Sequence, residues 1–297
     1  MVVLAVVFAV LGAASNAAGT AFQRSAAATQ SKGGGLRFLL SLMRQPAWLA
    51  GIAGVIGAFL FQALALVNGP IALVQPLFVL ELPFALMIAG PLMKRRMPRL
   101  GWYGVGGVVF GLALLLAAAS PSGSLTQAPM SQWIPALIGC YGLMAGAVAL
   151  SRFRTSSLVR AACLGSAAAV GNALTAAMLK SATGTFSDNG LAAFLSTWQT
   201  YGFALTGIAA VLLLENALQA GPLIASQPAL TIGDAGVSLL LGITVFDESI
   251  RTGWWVLPEL IGVGFICAGV MILARTTAGI GANQPPSTAT DSAGKLT

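Results

Sequence analysis

The sequence contains no histidine, and only 8% of its 297 residues are charged. The first absence removes imidazole metal ligands and histidine-based acid–base catalysis together. The second excludes a water-compatible surface, because ordinary soluble domains carry about a quarter charged residues. Cysteine is scarce as well. Cys140, Cys163 and Cys267 stand singly in apolar stretches, which excludes a disulfide framework and a zinc-ligand spacing and leaves them as small packing residues. No Lys/Arg run is interleaved with aromatics as a nucleic-acid groove requires, so the net charge of +7 has another origin. Nothing in the chain points to a cofactor.

What the chain does have is hydrophobic length: 57% of it is apolar. Nine apolar spans lie at about 2–22, 47–68, 70–92, 100–119, 132–150, 158–179, 197–217, 221–243 and 253–274. Each is long enough as a helix to cross the hydrocarbon core of a bilayer. The expected fold is therefore all-α, a polytopic membrane protein. The "ASNAA" near the end of the first span resembles a signal-peptidase site, but no Lys or Arg precedes that span and it has a counterpart later in the chain, so it is read as retained. Trp48, Trp102, Trp133, Trp198, Trp254 and Trp255 each fall within the first few residues of a span, where indole rings prefer the headgroup level.

The basic residues sit between spans and read as a topology signal. The loops after spans 1, 3, 5 and 7, with the C-terminal tail, hold 13 Lys and Arg; the opposite side holds only Lys180 and Arg251. This asymmetry places the N-terminus outside and the C-terminus in the cytoplasm of a cell (inner or plasma) membrane. In the long first loop, "LRFLLSLMRQ" puts Arg37, Ser41 and Arg44 on one stripe, the pattern of an interfacial helix. The "KRRMPR" of residues 94–99 reads as a topology anchor with an anionic-lipid contact. After Arg275 the Pro-, Gly-, Ser- and Thr-rich composition predicts a disordered tail.

The octet GPIALVQP at Gly69–Pro76 returns as GPLIASQP at Gly221–Pro228, 152 residues later. At the same offset Ala65-Leu66, Arg99 and Gly101-Trp102 meet Ala217-Leu218, Arg251 and Gly253-Trp254. At an offset of 156, Asn16-Ala17 meets Asn172-Ala173 and Arg24-Ser25-Ala26 meets Lys180-Ser181-Ala182. The duplicated units are residues 1–120 and 158–275, with 121–157 as a linker helix and its loops and 276–297 as the tail. Five spans separate equivalent helices, so the second unit inserts upside down relative to the first. Inverted repeats of this kind support alternating access, and paired Gly/Pro-interrupted helices mark the binding site. The predicted breaks are Gly69, Pro70 and Pro76 in one half and Gly221, Pro222 and Pro228 in the other.

This four-plus-one-plus-four plan, with the closing run "LGITVFDESIRTGWWVLPELIGVGFICAGVMILA", resembles the drug/metabolite transporter superfamily in its EamA-like form. Nine spans in this orientation are also similar to the NIPA-like magnesium transporter branch. The resemblance implies a secondary transporter and covers residues 1–274. Glu248 matches an acid common in the second repeat of that superfamily, whereas Arg96 stands at its repeat-equivalent position. Typical members have a tenth helix, absent here, which leaves a homodimer open as the assembly.

Glu81, Glu215, Asp234 and Glu259 lie within spans, where an ionised group costs about 2.5–3.5 kcal/mol on insertion scales. Glu81 and Asp234 fall near the centres of the repeat-related spans 3 and 8 and form the leading pathway pair, whether for a cation or for protons. Either would also serve as a metal ligand if a cation is carried. Gln227, Thr231, Asp234 and Ser238 make a polar stripe on one helical face, and Asn16, Thr20 and Gln23 make a shorter one. Gln75, Asn16 and its partner Asn172 complete the predicted pathway, with interhelical hydrogen bonding as their alternative role. Glu215 can snorkel at its span end, and Glu259 has Arg251 as a conceivable partner. Two lookalikes fail: "GVGGVVFG" lies inside a span with no preceding strand, and "TIGDAG" lacks the glycine of an intramembrane aspartyl protease. The expected protein is a non-enzymatic transporter of a small polar or cationic solute. A magnesium or other divalent-cation pathway and a non-transporting scaffold or sensor are the alternatives.

Overall fold

The computed structural model describes residues 2–28, 45–92, 97–123, 125–153, 156–221 and 223–282. The interfacial-helix stripe of Arg37, Ser41 and Arg44 lies outside them, as do Arg96 and Pro222. Among the described residues there is no β-strand, and nine helices are long and apolar enough to cross a membrane. The chain is an all-α polytopic membrane protein.

Its helices are α1 (Val2–Ala28), α2 (Pro46–Asn68), α3 (Ile71–Leu77), α4 (Glu81–Leu92), α5 (Arg99–Ala119), α6 (Met130–Arg152), α7 (Ser157–Ser196), α8 (Trp198–Ala220), α9 (Leu223–Phe246) and α10 (Val256–Ala282). Proline sets several of the starts: Pro70, Pro98 and Pro129 each stand in extended backbone immediately before a helix. A proline has no N–H to leave unpaired there, and its fixed φ suits a helix entry. Gly69 is extended and joins α2 to α3 in a two-residue connection.

Pro76 removes a donor inside α3, and the helix tightens into a 3₁₀ turn at Phe78–Leu80 before α4 continues. The repeat-equivalent Pro228 lies within α9, which runs unbroken from Leu223 to Phe246. The expected pair of Pro-broken helices therefore has one member broken at its proline and one continuous.

Three other expectations change. Span 6 does not stop at residue 179: α7 runs to Ser196, with its only non-helical residue at Gly190, φ 77°. Trp133 is not at a headgroup surface but is 1% exposed, edge-on to Trp198 and Phe246 at 5.3 and 5.9 Å. The last helix continues seven residues past Arg275 to Ala282, so the predicted tail begins as helix.

Small residues let the helices approach. Ala5, Ala9, Ala13 and Ala17 recur every fourth residue on α1 and are fully buried, and α1 packs along α2, where Gly19 meets the Gly51 carbonyl. α7 packs along α8, α9 and α6 and is the most enclosed of the nine spans. Gly104, Gly107 and Gly111 of "GVGGVVFG" form a packing face: a methyl on Gly111 would lie 2.6 Å from the Gly262 oxygen, and one on Gly269 would lie 2.7 Å from the Gly104 oxygen. Without a hydrophobic drive between helices in lipid, such close backbone contact is what holds α5 to α10. Large side chains such as Ile138, Leu205 and Leu260 point outward, giving the apolar exterior a bilayer requires.

Candidate functional site

Two features meet around the start of α3. The first is a sealed ion pair. Lys180 Nζ lies 2.6 Å from Glu248 Oε1, with side chains 1% and 0% exposed. The carboxylate also accepts the Ile71 N–H at 2.7 Å and the Ala72 N–H at 3.0 Å, two donors left free by the start of a helix. Three donors on one carboxylate supply the charge-assisted hydrogen bonds that a buried ion pair needs to offset its desolvation. Lys180 also lies 4.5 Å from the centroid of the Phe246 ring.

Local geometry delivers Glu248 to this point. Asp247 adopts φ 50°, turning the chain after α9 so that the Glu248 N–H donates back to the Gly242 carbonyl at 2.9 Å. Ser122 and Ser249 then exchange backbone hydrogen bonds of 2.9 and 2.8 Å, tying the loop after α5 to the loop after α9. Gly123 sits against Glu248 with φ +152°. A cavity of about 250 Å³ borders the pair, lined by Lys180, Asn68, Gly69, Pro70 and Ser122 among others.

The second feature is an apolar cavity of about 150 Å³ between α3, α5, α9 and α10. Pro76, Leu115, Leu239 and Ile266 are typical of its wall; Thr231, Cys267 and Glu259 are its polar members. Among the described residues, no group lies within hydrogen-bonding reach of the buried Glu259 Oε1. Arg251, the partner expected for it, instead stacks over the Trp255 ring at 5.2 Å. Ala72 belongs to both features: its N–H binds Glu248 and it lines the cavity. The ion pair thus stands at one end of the cavity.

The predicted pathway residues are dispersed over this frame. Thr231 reaches the cavity wall, whereas Glu81 and Asp234 are not part of it. Glu81 is half-buried at the start of α4; it is α3, preceding it, that carries the main packing against α9. Asp234 is half-buried and accepts the Ser238 hydroxyl at 3.4 Å, so the polar stripe of α9 is partly spent on itself. Gln75 is 4% exposed, while Gln227, Asn16 and Asn172 are half-buried. The Thr20 hydroxyl returns to the Ala17 carbonyl of its own helix. Glu215 is exposed near the end of α8.

Lys180 is the correction. It counts as a loop residue when span 6 ends at 179, and the structure buries it inside α7. Local composition signalled the continuation only weakly: Ser181–Thr185 reads Ser-Ala-Thr-Gly-Thr, mostly poor helix formers, although no proline interrupts the chain between Lys180 and Pro222. Glu248 stood out only through resemblance, with no partner assigned.

The sequence is 30% identical over 275 residues to an uncharacterized protein of Corynebacterium glutamicum, an alignment covering 91% of this chain and 93% of that protein. The chain belongs to that protein's family. No family model matches the sequence, and no solved structure matches it. An alignment of that length takes in most of the spanning helices and the residues that line the cavity.

Proposed function

We propose that this protein is a secondary transporter of the drug/metabolite type that carries a small polar or cationic solute by alternating access. The observation that carries the reading is the cavity between α3, α5, α9 and α10, with the half-buried Glu259 in its apolar wall and one carboxylate oxygen, Oε1, without a partner among the described residues. These four helices come from spans 3, 4, 8 and 9, two from each expected repeat.

The packing is also in keeping with an inverted repeat. α1 lies along α2 as the equivalent α7 lies along α8, and the equivalent helices α5 and α10 pack face to face. A two-fold axis in the membrane plane brings equivalent helices together in that way. The Lys180–Glu248 pair then acts as a latch on one side of the cavity. The positions equivalent to Lys180 and Glu248 in the first unit are Arg24 and Arg96, two like charges, so the opposite side has no such latch in the sequence. With Lys180 inside α7, Arg251 alone remains of the two cations counted on the outer side, which strengthens the basis for an external N-terminus and a cytoplasmic C-terminus.

A magnesium pathway has less support. Among the described residues no three His, Cys, Asp or Glu side chains come together, and Mg²⁺ demands near-octahedral oxygen ligation. The test is flux in proteoliposomes containing the full chain, with labelled amino acids, amines and Mg²⁺ offered separately. Saturable protein-dependent entry of an organic solute, with counterflow, is the expected result. Entry of Mg²⁺ alone would establish the divalent-cation reading, and no flux from folded protein would leave a scaffold or sensor.

A further inference from the structure

We infer that the cavity between α3, α5, α9 and α10 is a binding site for a compact monovalent organic cation, a quaternary or tertiary ammonium carrying apolar groups, with Glu259 as its counter-ion. The inference rests on the transport reading for its physiological use, but the site itself is argued from its walls.

The wall chemistry selects among ligand classes. Aliphatic side chains of Val79, Leu115, Leu239, Val263 and Ile266 surround the space, and among the described residues no aromatic or basic side chain lines it. An anion would face a carboxylate with no positive group to receive it. A neutral apolar ligand would fill the space but leave Oε1, the buried oxygen of the half-buried Glu259, without a partner, and an unpaired buried polar atom is costly. An inorganic cation would have to shed its water for one carboxylate and the Thr231 hydroxyl, too few oxygens to replace its shell. An alkylammonium meets all three conditions: its charge is spread over methyl or methylene groups, its hydration is weak, and its apolar surface suits the aliphatic wall.

Size narrows the class. The volume of about 150 Å³ equals that of an engineered apolar protein cavity known to hold benzene. Tetramethylammonium and phenyltrimethylammonium are of the right scale, the latter protruding toward the cavity's open side.

Glu259 has a structural alternative, since it stands in the first turn of α10, where a carboxylate is favoured by the helix dipole. That accounts for a negative charge at this level of the helix. It does not account for a carboxylate that lines a cavity with one buried oxygen unpaired when the helix starts at an exposed Gly253–Trp255 turn close by.

The experiment measures equilibrium binding of phenyltrimethylammonium to the purified full chain in detergent, by calorimetry, beside its neutral isostere tert-butylbenzene. The wild type should bind the cation at least tenfold more tightly than the isostere, and Glu259→Gln should erase that preference. Equal binding of the two by the wild type would overturn the inference even if the variant failed to fold. So would a folded Glu259→Gln protein that keeps the preference. Binding without flux in proteoliposomes would keep this site and remove the transport reading, whereas flux without Glu259-dependent binding would do the reverse.

Discussion

Lys180 and Glu248 join the interior of α7 to the loop after α9 through a 2.6 Å contact that also secures the start of α3. Both side chains are buried, so breaking the pair costs more than forming it gains. Removing one member of such a buried pair typically costs about 3–5 kcal/mol, because the other charge is stranded.

Lys180→Met should therefore lower the thermal midpoint in detergent sharply. Lys180→Met combined with Glu248→Gln should recover part of the loss, since the amide oxygen can still accept from the α3 backbone. Circular dichroism melting curves of the three proteins check this. A double variant no more stable than the single one would refute the coupling.

Gly242 allows the latch to close. A methyl group at this position would collide with Glu248 Oε2. Gly242→Ala should then destabilise the closed loop by about 1–3 kcal/mol, the usual cost of overpacking, without changing any charge. Limited proteolysis of the 247–252 loop should accelerate in the variant relative to wild type, and an unchanged cleavage rate would count against a latch.

The α5–α10 contact is built on glycine. Gly111→Leu would force a large side chain against the Gly262 carbonyl and the Ile266 nitrogen, 2.6 and 2.8 Å from the position of its Cβ. Loss of folded monomer on size-exclusion chromatography is expected, while Gly139→Leu, with open space around it, should behave as wild type.

Trp133 combines a buried ring with an indole N–H that has no partner among the described residues. Trp133→Ala should cost about 3–5 kcal/mol from the cavity it leaves. Trp133→Phe should fall within about 1 kcal/mol of wild type, since it keeps an aromatic edge for Trp198 and Phe246 and removes a donor that is expensive to bury. The test is a paired melting experiment.

Cys267 offers a reporter inside the proposed site. With Cys140 and Cys163 replaced by alanine, a cationic methanethiosulfonate should modify Cys267, and phenyltrimethylammonium should slow the reaction in the presence of Glu259. Asp234→Asn keeps an acceptor for Ser238 and lies outside the cavity wall, so it should leave that protection intact. Protection that vanishes in Asp234→Asn would move the site to the α9 stripe.

Much of the fold was legible in the sequence because it follows from solvent chemistry. In a hydrocarbon medium backbone groups must pair within helices, so long apolar runs with few charges determine both the fold class and the nine described helices long enough to cross, with boundaries close to those observed except for span 6, whose helix runs on to Ser196. Proline and glycine marked the helix entries for the same local reason, since a missing N–H or a free φ acts within one turn. The glycine face of α5 was readable too, because small residues at helical spacing have little other use in lipid.

Only the tertiary structure decided which polar residues matter together. Lys180 and Glu248 are 68 positions apart, and nothing local to either indicates a partner; the turn at Asp247 and the continuation of α7 past residue 179 bring them into contact. Glu259 read as one of four intramembrane acids until packing placed it, and not Glu81 or Asp234, on a cavity wall. Periodicity fixes which face of a helix a residue occupies, but what lies opposite that face depends on how the other helices pack.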